Sequence, residues 1–249
     1  TLEYYSVDYA GNVEEIKTGS FKVDYSPPST SCVLSGLEGQ PGWYRDDVTV
    51  SFDADDEFSG VDKTYYRMDD DTTWHIYTNP VVVNDSGFHV VYFYSVDNAG
   101  NVEEQQTTVF NLDSVKPTVA LVYPVGGETF SGVVDVLWDA SDDMVEPVIS
   151  LYYSPDNGVE WYVIALNEEN DGVYSWNTTT LVDGSYLFKV TACDNAGNEE
   201  SDVSGVFTLA NGVSPPEIDV EITKPAEGGF YLFNNRVLPL PGNLVVIVG

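Results

Sequence analysis

Apolar and polar residues alternate along much of this chain with the period of two that a strand with one buried face requires. Val48, Val50 and Phe52 fall on one side of a short run, with Thr49, Ser51 and Asp53 on the other. Val134, Val136 and Trp138 repeat the arrangement. His89, Val91, Phe93 and Ser95 alternate toward Asp97, and Tyr186, Phe188, Val190 and Ala192 alternate toward Asp194 in the same way. No segment holds a helical period over a useful length. Gly and Pro punctuate the runs, and β-branched and aromatic residues are frequent within them. This is the mixture expected of strands joined by tight turns, and it predicts an all-β protein.

The pattern is also repeated. Residues 4–15 read YYSVDYAGNVEE, residues 93–104 read FYSVDNAGNVEE, and residues 192–200 read ACDNAGNEE. The aspartates Asp8, Asp97 and Asp194 are spaced by 89 and 97 residues. The register continues through Phe21–Asp24, Phe110–Asp113 and Phe207–Ala210, each followed by proline. A second match pairs Tyr66, Asp69 and Trp74 with Tyr153, Asp156 and Trp161, each offset by 87. Two independent matches at nearly one offset define a repeating unit. Two complete units are expected at 26–113 and 114–211. Residues 1–25 correspond to the last strands of a preceding unit, and 212–249 to the first strands of a following one. Half a sandwich leaves bare strand edges. The sequence is therefore expected to be a piece of a longer chain, or its half-units to be completed by neighbouring copies.

The segment from Gly184-Ser-Tyr186 to Asp194-Asn-Ala-Gly-Asn198 resembles the closing strand pair of immunoglobulin-like and fibronectin-III-like repeats from prokaryotic cell-surface, adhesin and surface-layer proteins. The acidic turn Asp55-Asp-Glu-Phe-Ser-Gly60 followed by Val61 is similar to a turn early in such repeats. The unit length fits an immunoglobulin-like sandwich of about 100 residues. The resemblance implies tandem β-sandwiches in an elongated array and an exported, cell-surface protein. It says little about role, since one fold hosts many functions.

Charge narrows the partners. With 41 acidic and 9 basic residues the net charge is −32, which repels nucleic-acid phosphates and anionic lipid and attracts cations. No apolar run is long enough to span a membrane, so no direct insertion is expected. No signal peptide is visible after Thr1, and any export signal or anchor is expected outside the sequence. Cys32 and Cys193 fall in different units, so no bridge within a unit is expected.

The acidic turns are the leading candidate sites. In an immunoglobulin-like sandwich the turn after the second strand, the last hairpin turn and the incoming linker lie at one end. This gathers Asp55, Asp56, Asp97, Asn98 and Asn101 with Asp24, and Asp142, Asp143, Asp194, Asn195 and Asn198 with Asp113. Calcium takes six to eight oxygens from such groups, and would stiffen the junctions as in cadherin-like arrays. The competing reading is turn chemistry alone, in which Asp and Asn cap the turn and Gly supplies positive φ.

Other features weigh less. Ser154-Pro-Asp156-Asn-Gly158-Val-Glu-Trp161 resembles a structural hairpin box of sialidase-like propellers. Asn84 and Asn177 head glycosylation sequons. Tyr92 and Tyr94 lie opposite the inward-facing set of their strand, as a partner-binding stripe or as cross-strand pairs. Among the histidines, His89 aligns with Tyr186, a packing position. No phosphate loop, HExxH or nucleophile elbow occurs, and acid pairs such as Asp46-Asp47 or Glu103-Glu104 lack a predicted pocket, so no enzyme is expected. The role expected is a spacer, surface-layer, sheath or filament component. Its partners are neighbouring repeats or copies of itself. The alternatives are a glycan- or matrix-binding adhesin module and an accessory arm of a secreted enzyme.

Overall fold

A computed structural model describes residues 1–215 and the backbone of two further strands at 233–239 and 245–248. Among the described residues there is no helix, and so none that is long and apolar enough to cross a membrane. The chain opens with β1 (Leu2–Tyr4) paired antiparallel to β2 (Lys17–Gly19), with the Asp8 turn between them.

The first sandwich follows. Its strands are β3 (Ser29–Ser35), β4 (Trp43–Tyr44), β5 (Val48–Asp55), β6 (Val61–Met68), β7 (His75–Ile76), β8 (Val81–Val83), β9 (Gly87–Asp97) and β10 (Gln106–Leu112). One sheet has the order β3-β5-β8 and the other β4-β10-β9-β6-β7. The second sandwich is built from β11 (Thr118–Tyr123), β12 (Thr129–Phe130), β13 (Val133–Ser141), β14 (Val148–Ser154), β15 (Tyr162–Glu168), β16 (Val173–Asn177), β17 (Gly184–Cys193), β18 (Glu199–Val203) and β19 (Phe207–Leu209). Its sheets, β11-β13-β16 and β12-β19-β17-β14-β15, follow the same order as the first, with β18 added beside β17. In both, the opening segment crosses between sheets. β3 and β11 pair antiparallel in one sheet, while β4 and β12 pair parallel to β10 and β19 in the other. This connectivity is immunoglobulin-like. Two last strands, β20 (Phe233–Pro239) and β21 (Val245–Val248), pair antiparallel. The rest of the expected partial unit at 212–249 lies outside the described residues.

The alternation read from the sequence sets the two cores. Val48 and Val50 are fully buried against Val91, Phe93, Phe110 and Leu112. Val136 and Trp138 face Phe188, Val190, Phe207 and Leu209. Burying each such side chain contributes about 1.5–3 kcal/mol. The last strand of the second sandwich divides into β18 and β19 around Gly205. There Gly126, at φ +117°, comes so close that a side chain on it would stand 2.6 Å from the Gly205 Cα.

His89 and Tyr186 hold one position in the two domains. Tyr186 donates its hydroxyl to the Val182 carbonyl at 2.8 Å and stacks on Phe207. His89 reaches the Asp85 carbonyl, also four residues upstream, at 2.9 Å and stacks on Phe110. The Tyr186 contact is the tyrosine corner of immunoglobulin-like folds, and His89 substitutes for it.

A candidate cation site at the domain junction

The repeated Asp-x-Ala-Gly-Asn turn is first a local structure. In each copy the aspartate accepts the backbone N–H of the asparagine four residues on, at 2.9, 2.8 and 2.9 Å for Asp8, Asp97 and Asp194. The asparagine Nδ2 returns to the other carboxylate oxygen at 2.7 Å in all three. The glycine takes positive φ, 86°, 92° and 85°. These bonds hold the carboxyl of Asp8 below the usual range, and hold Asp97 below it against the opposing effect of burial.

The same asparagines also hold the incoming linker. Asn101 Nδ2 lies 3.3 Å from the carbonyls of Asp24 and Ser26, and Asn198 Nδ2 donates to the Asp113 carbonyl at 2.8 Å. Their amide N–H groups are thus committed to carboxylate and linker. Asn98 likewise donates to the Ser59 and Gly60 carbonyls, tying the hairpin turn to the loop after β5.

The structure brings together three carboxylates at each junction. Oxygens of Asp24, Asp56 and Asp97 lie within 4.8 Å of one another, as do those of Asp113, Asp142 and Asp143. Asp55 stands apart from the first group. It closes β5, exposed and paired with Ser29, because the next residue along a strand points the opposite way. Asp194 is buried beside the second group without joining it, and Asn195 contributes its carbonyl to a different contact.

The two groups differ in their hydrogen bonds. Upstream, Asp24 accepts N–H from Ser26 and Ser59, both at 3.0 Å, and Asp56 accepts from Ser59 and Gly60 at 2.8 and 2.7 Å. Downstream, Asp113 is fully buried, and its Oδ1 accepts only the Val115 N–H at 3.1 Å. Its Oδ2 and the Oδ1 of Asp142 are buried with no hydrogen-bond partner. Burial, with the charges of Asp142, Asp194 and Asp143, pushes the Asp113 carboxyl up to about 6.

The downstream junction is also covered by the first sandwich. The Gln40 N–H donates to the Asn195 carbonyl at 2.8 Å, and Arg45 Nη1 to the Gly197 carbonyl at 3.1 Å. Ala196 between them is fully buried. A Cβ on Gly39 would stand 2.4 Å from the Ala196 carbonyl carbon, so only glycine lets the two backbones meet. The loop carrying Gly39 had no distinguishing sequence signal beyond its glycines.

Asn84 and Asn177 are both exposed, in a loop and at the end of β16. Tyr92 is covered by the Arg67 guanidinium at 4.0 Å, which also lies over Trp74. Tyr94 stacks on Tyr65 at 5.1 Å and meets the edge of Trp74. The second sandwich rebuilds this cluster with the strands exchanged. There Lys189, on the strand equivalent to that of Tyr92, lies over Tyr152 and Trp161. Ser154 and Asp156 cap a hairpin turn by accepting the N–H groups of Gly158, Val159 and Glu160. Cys32 and Cys193 are free. Glu103, which the sequence offered only as one of an adjacent acid pair, is buried and accepts N–H from Thr30 and Ser95, fastening β3 to β9.

The chain carries tandem immunoglobulin-like repeats, and residues 117–190, within the second sandwich, match the family model described as bacterial Ig domain. No curated protein sequence matches the chain. Among solved structures, it is similar to fibronectin(III)-like modules of Clostridium thermocellum CbhA. That match has 16% identity and a TM-score of 0.42, covering 75% of this chain and 98% of that one. It is also similar to a tetra-tandem repeat in the extending region of a large adhesion protein (17%, TM-score 0.33, 84% and 56% covered). A third is a 1.5-MDa bacterial ice-binding adhesin (15%, TM-score 0.36, 82% and 70% covered). At such identities none of them bears on what this chain does.

Proposed function

We propose that this chain is a non-catalytic structural segment of a bacterial cell-surface protein, an extracellular array whose sandwiches are joined at fixed junctions to give reach. One observation carries this reading. The linker at Asp113 is clamped by Asn198, and the turn bearing Asn198 is docked by Gln40 and Arg45 of the preceding domain. A free linker would leave domain motion as the default, and backbone contacts of this kind oppose it. The acidic surface suits a solvated, non-aggregating rod. A compact 249-residue globule has a radius of gyration of about 18 Å. Small-angle scattering of the chain is expected to give a clearly larger value with an extended distance distribution, and a value near that of the globule contradicts the reading.

His89 and the two cysteines offer little for catalysis. His89 is a buried packing residue, and burial raises the thiols of Cys32 and Cys193 away from reactivity. A ligand-binding role for Tyr92 and Tyr94 has less support, because Arg67, Tyr65 and Trp74 already engage those rings.

A further inference from the structure

We propose that the junction between the two sandwiches binds one divalent cation of the calcium class through Asp113, Asp142 and Asp143, and that the upstream junction does not. Two buried carboxylate oxygens, Asp113 Oδ2 and Asp142 Oδ1, have no donor, and both belong to a group of three acids whose oxygens lie within 4.8 Å. A buried, unpaired carboxylate is costly unless something positive meets it. Among the described residues no lysine or arginine makes an ion pair with any of these acids. The donor set is all oxygen, which excludes the nitrogen and sulfur preferences of zinc and copper and favours calcium, magnesium or manganese. Calcium tolerates irregular carboxylate sets better than magnesium, which demands a near-ideal octahedron. Asp143 is exposed, so water can complete the shell from that side.

The upstream group argues by contrast. Its loop turns the Ser59 and Gly60 N–H groups onto Asp56 and the Ser59 N–H also onto Asp24, and Asn101 saturates Asp97. Backbone donors there do the work that a cation does downstream, where the loop directs only the Met144 and Val145 N–H groups, at 3.2 and 3.4 Å, onto one Asp142 oxygen. The Asp113 carbonyl is held by Asn198, so a cation on its carboxylate ties the linker, the loop after β13 and the docked turn into one unit.

The test is titration calorimetry of the chelator-treated 249-residue chain with calcium chloride, at physiological salt to suppress diffuse binding to so acidic a surface. One saturable site is expected, with a rise in the unfolding temperature that grows with calcium concentration. Asp142→Asn and the exposed Asp143→Asn are expected to weaken binding at least tenfold, and Asp24→Asn and Asp56→Asn to leave it unchanged. Circular dichroism checks that each variant is folded. Absence of a saturable site in millimolar calcium, or equal binding by the Asp143→Asn chain, overturns the proposal. Loss of binding on Asp56→Asn instead would place the site upstream and overturn it too.

Discussion

The Nδ2 of Asn198 donates to the carbonyl of Asp113 at 2.8 Å, so the last hairpin of the second sandwich grips the linker by which the chain enters it. The same side chain also closes its own turn onto Asp194 at 2.7 Å. Asn198→Ala removes both bonds and leaves a buried carboxylate less satisfied. A loss of about 1–3 kcal/mol is expected, measured by urea denaturation, with faster proteolysis of the linker after Asp113.

Gly39 makes a different prediction. Its α-carbon faces the buried Ala196 backbone, and neither core lies beneath it. Gly39→Val is expected to separate the domains while each keeps its fold. The unfolding temperature then changes little, while the scattering profile broadens toward a mixture of interdomain angles.

Stability should depend on the protonation of His89. Its Nδ1 lies 3.0 Å from the Asp69 carboxylate and its Nε2 2.9 Å from the Asp85 carbonyl. Both partners are acceptors, so both ring nitrogens must carry protons. Burial opposes that charge, but the bonds to Asp69 and Asp85 outweigh it and raise the pKa above its ordinary value of 6.5. A raised folded-state value means that this contribution is fully present below about pH 6.5 and is lost as pH rises through the folded value. Thermal melts across pH 5.5 to 9 are expected to show that decline, on the order of 1–3 kcal/mol for charged hydrogen bonds. His89→Gln should remove the part of the decline above about pH 6.5, leaving the part near pH 6 that the raised Asp113 carboxyl contributes.

The exchanged cation–aromatic clusters predict a structural cost. Arg67→Ala uncovers Tyr92 and Trp74 and is expected to destabilise the first sandwich by about 1 kcal/mol, read from chemical denaturation. A loss several times larger would point to a role beyond this packing.

Much of the fold was legible because strand alternation maps directly onto burial. Val48, Val50, Val91, Phe93, Phe188 and Val190, assigned inward from the sequence, are buried. The alignment of His89 with Tyr186 also had a physical basis, since both reach back four residues to a carbonyl. The acidic ends of the sandwich could be grouped from topology, but not their inner pairing. Asp55 and Asp56 differ by one residue and so by the face they present. Whether a carboxylate meets an N–H or nothing depends on the path of one loop, which composition does not encode. The Gly39–Ala196 contact joins two domains across 157 positions, and no local pattern marks it.

A fixed Asp113 junction requires the two sandwiches to hold one relative orientation. Residual dipolar couplings measured on the backbone amides of both domains test this most directly. A single alignment tensor should fit residues 29–112 and 118–209 together, in the orientation set by the Gln40–Asn195 and Arg45–Gly197 bonds. Two tensors of different magnitude would mean that the domains move independently and would contradict a fixed junction.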